Sequence, residues 1–190
     1  MDIDEVMQIN DEDYSITISM YFNVEWQEPR LKMLPSFGAS SGPKNSLVPT
    51  NVELVKDLWL PNIFIYNLKT FKVIDVLSKL SGLWIDKEKN LIYSQATQIT
   101  IMCPMRFDKF PLDTQTCKFR VGSYSYDMSK MHFITKNAGR KYASLLDGNW
   151  CIVISGYASL GHHGRPVLDY DIICESVLLT NVSNIVAIVF

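Results

Sequence analysis

A chain of 190 residues, 47% of them hydrophobic, is long enough for one large domain with its own core. A formal charge of −2, with lysines and arginines scattered, leaves no basic face and argues against nucleic acid as a partner. No apolar run approaches the roughly 20 residues of a membrane helix; Ile185–Phe190, the longest candidate, is strand-sized.

The N-terminus, Met-Asp-Ile-Asp-Glu, is acidic and lacks the apolar core of a signal peptide. Four cysteines and the sequon Asn181-Val-Ser183 nevertheless point to an oxidising compartment, with Asn181 a glycosylation candidate. Both facts fit an ectodomain, residues 1–190, excised from a longer protein without its signal peptide and membrane helices. Residues 1–13 are expected to hold the end of a first strand and a turn at Asn10–Asp13. From Tyr14 to Trp26 the chain alternates. Ile16, Ile18, Met20, Phe22, Val24 and Trp26 share one face, with Ser15, Thr17, Ser19, Tyr21, Asn23 and Glu25 on the other, which predicts a half-buried strand. Tyr21 is an aromatic on the polar side.

Pro29 ends that strand, and 31–50 is a Pro-, Gly- and Ser-rich loop. Val52–Trp59 reads as a short helical turn or a connector, before the strand around Ile63–Tyr66. Leu83–Ile85 reads as a strand, and Asp86–Asn90 as a charged hairpin turn leading to Leu91–Met102. Further strands are expected at Lys118–Val121, Met131–Thr135, Trp150–Ile154, Ile173–Leu179 and Val186–Phe190. Gly156, Gly161, Gly164 and Pro166 break the pattern over 155–172. About ten short strands with almost no helical periodicity predict an all-β fold, a sandwich or a barrel.

Little here supports catalysis. His132 stands alone, and no His-x-x-x-His, Cys-x-x-Cys, Gly-x-Ser-x-Gly or phosphate-cradling glycine loop is present. Adjacent His162 and His163 seldom both reach one ion, so neither a metal, a cofactor nor an enzyme is expected. Cys151 and Cys174 flank the glycine-rich stretch and are either a cross-hairpin pair or two buried thiols; four cysteines allow three connectivities.

The organising stretch is Cys103-Pro-Met-Arg-Phe-Asp-Lys-Phe-Pro-Leu-Asp-Thr-Gln-Thr-Cys117, with thirteen residues between the cysteines, a Phe110-Pro111-Leu112-Asp113 core and a closing Gln-x-Cys. It resembles the signature loop of the Cys-loop receptors, the pentameric ligand-gated ion channels that include nicotinic, serotonin type 3, GABA type A and glycine receptors. Trp59-Leu-Pro-Asn62 is similar to that family's Trp-x-Pro-Asp motif, with asparagine in place of aspartate.

The resemblance implies a twisted, immunoglobulin-like β-sandwich, and a disulfide between Cys103 and Cys117 worth roughly 3 kcal/mol for a loop of this size. It favours a second between Cys151 and Cys174. It also implies a homo- or hetero-pentamer on the extracellular side of a cell membrane, each subunit anchored by membrane helices this chain lacks. A small-molecule ligand would bind between neighbours, with Phe110 and Pro111 pressing on the membrane domain. Tyr21, Tyr66 and Tyr124 match three walls of the family's aromatic box; Tyr157 or Tyr170, from the capping loop at 156–173, would supply the fourth. Gly122 is expected to free the backbone so that Tyr124 swings inward. Glycine and GABA receptors place an arginine two positions past the residue matching Tyr21, to pair with a ligand carboxylate. Asn23 stands there, so the implied ligand is cationic or amphiphilic. Rival readings are a soluble pentamer similar to the acetylcholine-binding proteins and a secreted β-sandwich adhesion module.

Overall fold

A computed structural model describes residues 2–34, 47–110, 113–134, 141–146, 149–160 and 164–176; for 2, 3, 141–146, 149–160, 175 and 176 it describes the backbone alone. The strands are β1 Asp2–Asn10, β2 Ser15–Gln27, β3 Val48–Thr50, β4 Ile63–Ile65, β5 Leu68–Val73, β6 Ser81–Ile85, β7 Asn90–Met102, β8 Thr114–Ser123, β9 Lys141–Leu146, β10 Asn149–Leu160 and β11 Pro166–Ser176. One sheet runs β1-β2-β7-β6-β3, with β5 also on β7; the other runs β4-β8-β11-β10-β9. The fold is all-β, as the alternating pattern predicts, and of its two alternatives it is the antiparallel sandwich that the resemblance implies. Val52–Asp57 is a 3-10 turn, so the helical-turn alternative holds there. Asn51 caps it, its side-chain oxygen accepting the Glu53 N–H at 3.0 Å.

The chain divides into two compact units, Met20–Pro61 with Lys72–Gln98 and 1–2, and Ile3–Ser19 with Asn62–Phe71 and Ile99–Phe190. In the first unit Leu83 and Ile85 of β6 and Leu91 of β7 form a buried core, against which Trp26, Val52, Val55 and Tyr93 pack. The predicted charged hairpin joins β6 to β7. Asp86 accepts from the Asn90 backbone at 2.7 Å and from its side-chain amide at 2.6 Å, and Lys89 takes the left-handed conformation at φ 65°.

In the second unit Ile16, Ile18, Ile99 and Ile101 are wholly buried, as is Phe119 of β8. Each such side chain contributes about 1.5–3 kcal/mol from burial. The alternation read along β2 holds from Ile16 to Tyr21, with Ile16, Ile18 and Met20 buried and Tyr21 49% exposed. Ser15, read as polar-facing, is instead buried, its hydroxyl donating to the Asp13 carboxylate at 3.4 Å. The disulfide Cys103–Cys117 links the residue after β7 to β8, with Cα atoms 5.0 Å apart and both residues buried. Within its loop, Gln115 acts as a strand partner. Its oxygen accepts the Arg106 N–H at 2.9 Å and its amide donates to the Arg106 carbonyl at 2.6 Å and to the buried Asp113.

Two sequence expectations fail. Residues Met131–Ile134 form no strand. Asp127 accepts from the Ser129 N–H and hydroxyl at 3.1 and 2.5 Å, and its carbonyl takes the N–H groups of Lys130 and Met131 at 3.1 Å. That closed turn leaves Ile134 87% exposed. Residues 155–172 are not a long break either. β10 continues to Leu160 through a bulge between Ile154 and Tyr157, where Gly156 sits, and β11 begins with Pro166, a position that needs no ladder N–H. Thr135 and Val186–Phe190 lie outside the described residues.

Candidate functional site

The site is built on one face of the β4-β8-β11-β10 sheet. Along β8, Phe119, Val121 and Ser123 are buried, which sends Arg120 and Gly122 to the opposite face, with Tyr124 next in the alternation. β4 pairs with this strand in the register Ile63–Ser123, Phe64–Gly122, Ile65–Val121. Phe64 therefore stands across from a residue with no side chain, and Tyr66 follows two positions on.

Three rings meet there. Phe64 lies 4.3 Å from Tyr66, tilted by 46°, and 5.8 Å from Tyr124, edge to face at 87°. Such offset and edge-on pairs are the favoured aromatic geometries, worth about 0.5–1.5 kcal/mol beyond area. Tyr66 is 41% exposed and Tyr124 61% exposed. Both are pinned through their backbones: the Tyr66 N–H donates to the Arg120 carbonyl at 3.0 Å, and the Tyr124 N–H to the Asn62 carbonyl at 3.0 Å. Asn62 adds a side-chain bond, its amide donating to the Ser125 hydroxyl at 3.0 Å. The adjacent Ser123 is buried, and its hydroxyl accepts the Tyr126 N–H at 2.9 Å.

The charged part of the face is a closed pair. Arg120 Nε sits 2.5 Å from Asp169 Oδ1, with Nη2 3.5 Å from Oδ2, and the Asp169 side chain is only 5% exposed. The guanidinium carbon also stands over the Tyr66 ring, 5.9 Å from its centroid. Directly opposite Asp169 on the other side of β11 is Tyr157 of β10. An arginine already tied to a buried carboxylate is poorly placed to take a second one from a ligand.

The expected site residues thus fall in different places. Tyr66 and Tyr124 come together through Phe64, which the sequence reading did not single out; nor did it single out Arg120 or Asp169. Tyr157 pairs with Asp169 in register, while its side chain lies outside the described residues. Tyr170 lies on β11, not in a loop; it is 8% exposed, and its ring packs 5.8 Å from Phe119. Tyr21 and Asn23 lie on β2 in the other unit, Tyr21 half-exposed and Asn23 partly buried. Gly122 acts otherwise than expected. It is extended in the ladder, and its missing side chain clears space for Tyr66 instead of swinging Tyr124.

In the Cys loop, Phe110 is 73% exposed, while Pro111 lies outside the described residues. Cys151 stands directly opposite Cys174 in register, and Cys174 is disulfide-bonded, though the Cys151 side chain is outside the description. Asn181, His162 and His163 also fall outside it. Among the described residues no cluster of three or more His, Cys, Asp or Glu side chains is arranged to hold a metal, and no helix is long and apolar enough to cross a membrane.

A two-sheet β fold with a thirteen-residue disulfide loop near the start of β8 and an aromatic face at that strand's far end defines a receptor-type ligand-binding module. Residues 1–150 match the family model for the neurotransmitter-gated ion-channel ligand binding domain, and the chain belongs to that family. It is 31% identical over 124 residues to the mouse gamma-aminobutyric acid receptor subunit rho-1, covering 65% of this chain and 24% of the relative. It is 29% identical over 142 residues to the human gamma-aminobutyric acid receptor subunit alpha-2, covering 74% and 30%. Against the rat alpha-2 subunit it is 28% identical over 169 residues, covering 89% and 32%. The chain spans about a quarter to a third of the length of these curated relatives.

Proposed function

We propose that this domain binds a small cationic or amphiphilic ligand on the face carrying Phe64, Tyr66 and Tyr124, at the interface between subunits of a pentameric channel. The observation that carries this reading is the three-ring cluster with Tyr124 61% exposed at its edge. Tyrosine faces attract a cation by roughly 0.5–2 kcal/mol per ring, more where water is excluded. Two features disfavour a carboxylate ligand: Asn23 replaces the arginine that glycine and GABA receptors use, and Arg120 is already paired with Asp169. The relatives carry gamma-aminobutyric acid in their names, so the proposal is that this chain departs from them in ligand chemistry.

Tyr21 and Asn23 are assigned to the neighbouring subunit's side of the site, and Tyr157 to the capping strand. Tyr170 could complete the box only by leaving the core against Phe119, so Tyr157 is preferred. The chain would lie on the extracellular side of a cell membrane, with Phe110 and Pro111 transmitting closure to the membrane domain and Asn181 glycosylated. Binding would gate a pore only through a difference in affinity between closed and open rings.

The test is a thermal-shift titration with tetramethylammonium as the cation probe, since a ligand that binds only the folded state raises its melting temperature. Tyr124→Ala removes the most open face and should cost about 2 kcal/mol of binding or more. Tyr124→Phe keeps the face and should retain most of it. Equal loss in both variants would replace cation–π attraction with a hydrogen bond to the phenol. No shift in the wild type, with γ-aminobutyric acid giving one, would overturn the cationic reading.

A further inference from the structure

We infer that Gly122 is the positioning residue of this face, holding Tyr66 in place by leaving empty the volume its own side chain would fill. The inference rests on the reading of this face as a ligand site. A Cβ built at position 122 would lie 2.5 Å from Tyr66 Cε2 and 3.1 Å from the phenol oxygen. Carbon contacts that close are not tolerated, so any side chain at 122 displaces the ring. The glycine is extended within β8 and opposite Phe64, so no unusual backbone conformation calls for it. Its role is space.

The seat has further walls. Phe64 stands 4.3 Å away, the Arg120 guanidinium 5.9 Å from the ring centroid, and the Tyr66 N–H is fixed to the Arg120 carbonyl at 3.0 Å. With its backbone tied to β8, the ring can answer a new Cβ only by rotating about its own side-chain bonds. That rotation changes its packing on Phe64 and on the guanidinium together. Because Phe64 also holds Tyr124 edge to face at 5.8 Å, a change at 122 propagates to the ring proposed as the open wall. Position 122 thereby sets the spacing between the two tyrosines and hence the size of cation they accept.

A double-mutant cycle on the 190-residue chain tests this. Gly122→Ala should lower the melting temperature measured without ligand. Tyr66→Ala, which empties the seat, should make Gly122→Ala neutral or stabilising, as expected for glycine replaced within a strand. With 3-fluorotyrosine incorporated, the 19F resonance that vanishes in Tyr66→Phe should shift in Gly122→Ala. Tetramethylammonium binding should weaken by roughly tenfold in Gly122→Ala, and it should stay weak in the double variant even though its stability recovers. An equal fall in melting temperature in both backgrounds, including a double variant that fails to fold where Tyr66→Ala folds, would overturn the seat. So would a Gly122→Ala chain as stable as the wild type, with an unmoved Tyr66 resonance. The melting cycle needs no ligand. A wild type that ignores the probe while the cycle shows coupling therefore contradicts the ligand reading and supports the seat.

Discussion

Glu28 opens the turn that follows β2, and its carboxylate is nearly buried at 6% side-chain exposure. It accepts from the Arg30 backbone at 3.2 Å and from the guanidinium at 2.6 Å twice, which holds its pKa below the usual glutamate value. A depressed carboxylate contributes stability that is present above the unfolded-state pKa and is lost as pH falls through the folded one. Acid unfolding of the wild type should therefore steepen below the ordinary glutamate range. Glu28→Gln should flatten that part of the melting-temperature profile, as read by a pH series of thermal melts. At this scale the sequence pointed to some members of the ring cluster and missed others. Tyr66 and Tyr124, which the resemblance singled out, come together on Phe64. Phe64 and Arg120 were legible in principle, because each lies an even number of residues from a site tyrosine on an alternating strand. Asp169 was not, since only the register of β8 against β11 brings it to Arg120.

Among elements, the Cys loop is where local pattern and structure agree most closely. The disulfide draws together the end of β7 and β8, and Gln115 bridges the loop to Arg106 much as a neighbouring strand would. Long-range pairing was harder to read. Gly156 and Pro166 signal a break locally, yet a bulge absorbs the first and a strand start the second, so β10 and β11 form a long ladder. Met131–Ile134 had the composition of a strand, but the Asp127 turn just before it takes up the backbone N–H groups of Ser129, Lys130 and Met131. The β10–β11 register also sets Cys151 across from Cys174, the partner expected from the glycine receptors. Non-reducing peptide mapping should recover two linked peptides, 103–117 and 151–174. Alkylation of Cys103 or Cys151 without prior reduction would contradict the respective pair. Reduction of the Cys103–Cys117 bond should cost about 3 kcal/mol, seen as a lowered melting temperature.

At the scale of the whole molecule, the all-β class followed from alternation, while the division into two compact units did not, because β2 and β7 run on as single uninterrupted patterns. The ligand proposal also exceeds one chain. Tyr66 and Tyr124 share a face of one unit, and Tyr21 is proposed to act from the neighbouring subunit, so a complete site needs two copies. Rings assembled from mixed Tyr21→Ala and Tyr124→Ala subunits measure this most directly. Each variant alone should bind tetramethylammonium poorly, and the mixture should recover part of the wild-type capacity, because some interfaces then pair an intact Tyr21 with an intact Tyr124. Mixed rings that bind no better than either variant, while wild-type rings assembled alongside bind normally, would contradict the shared site.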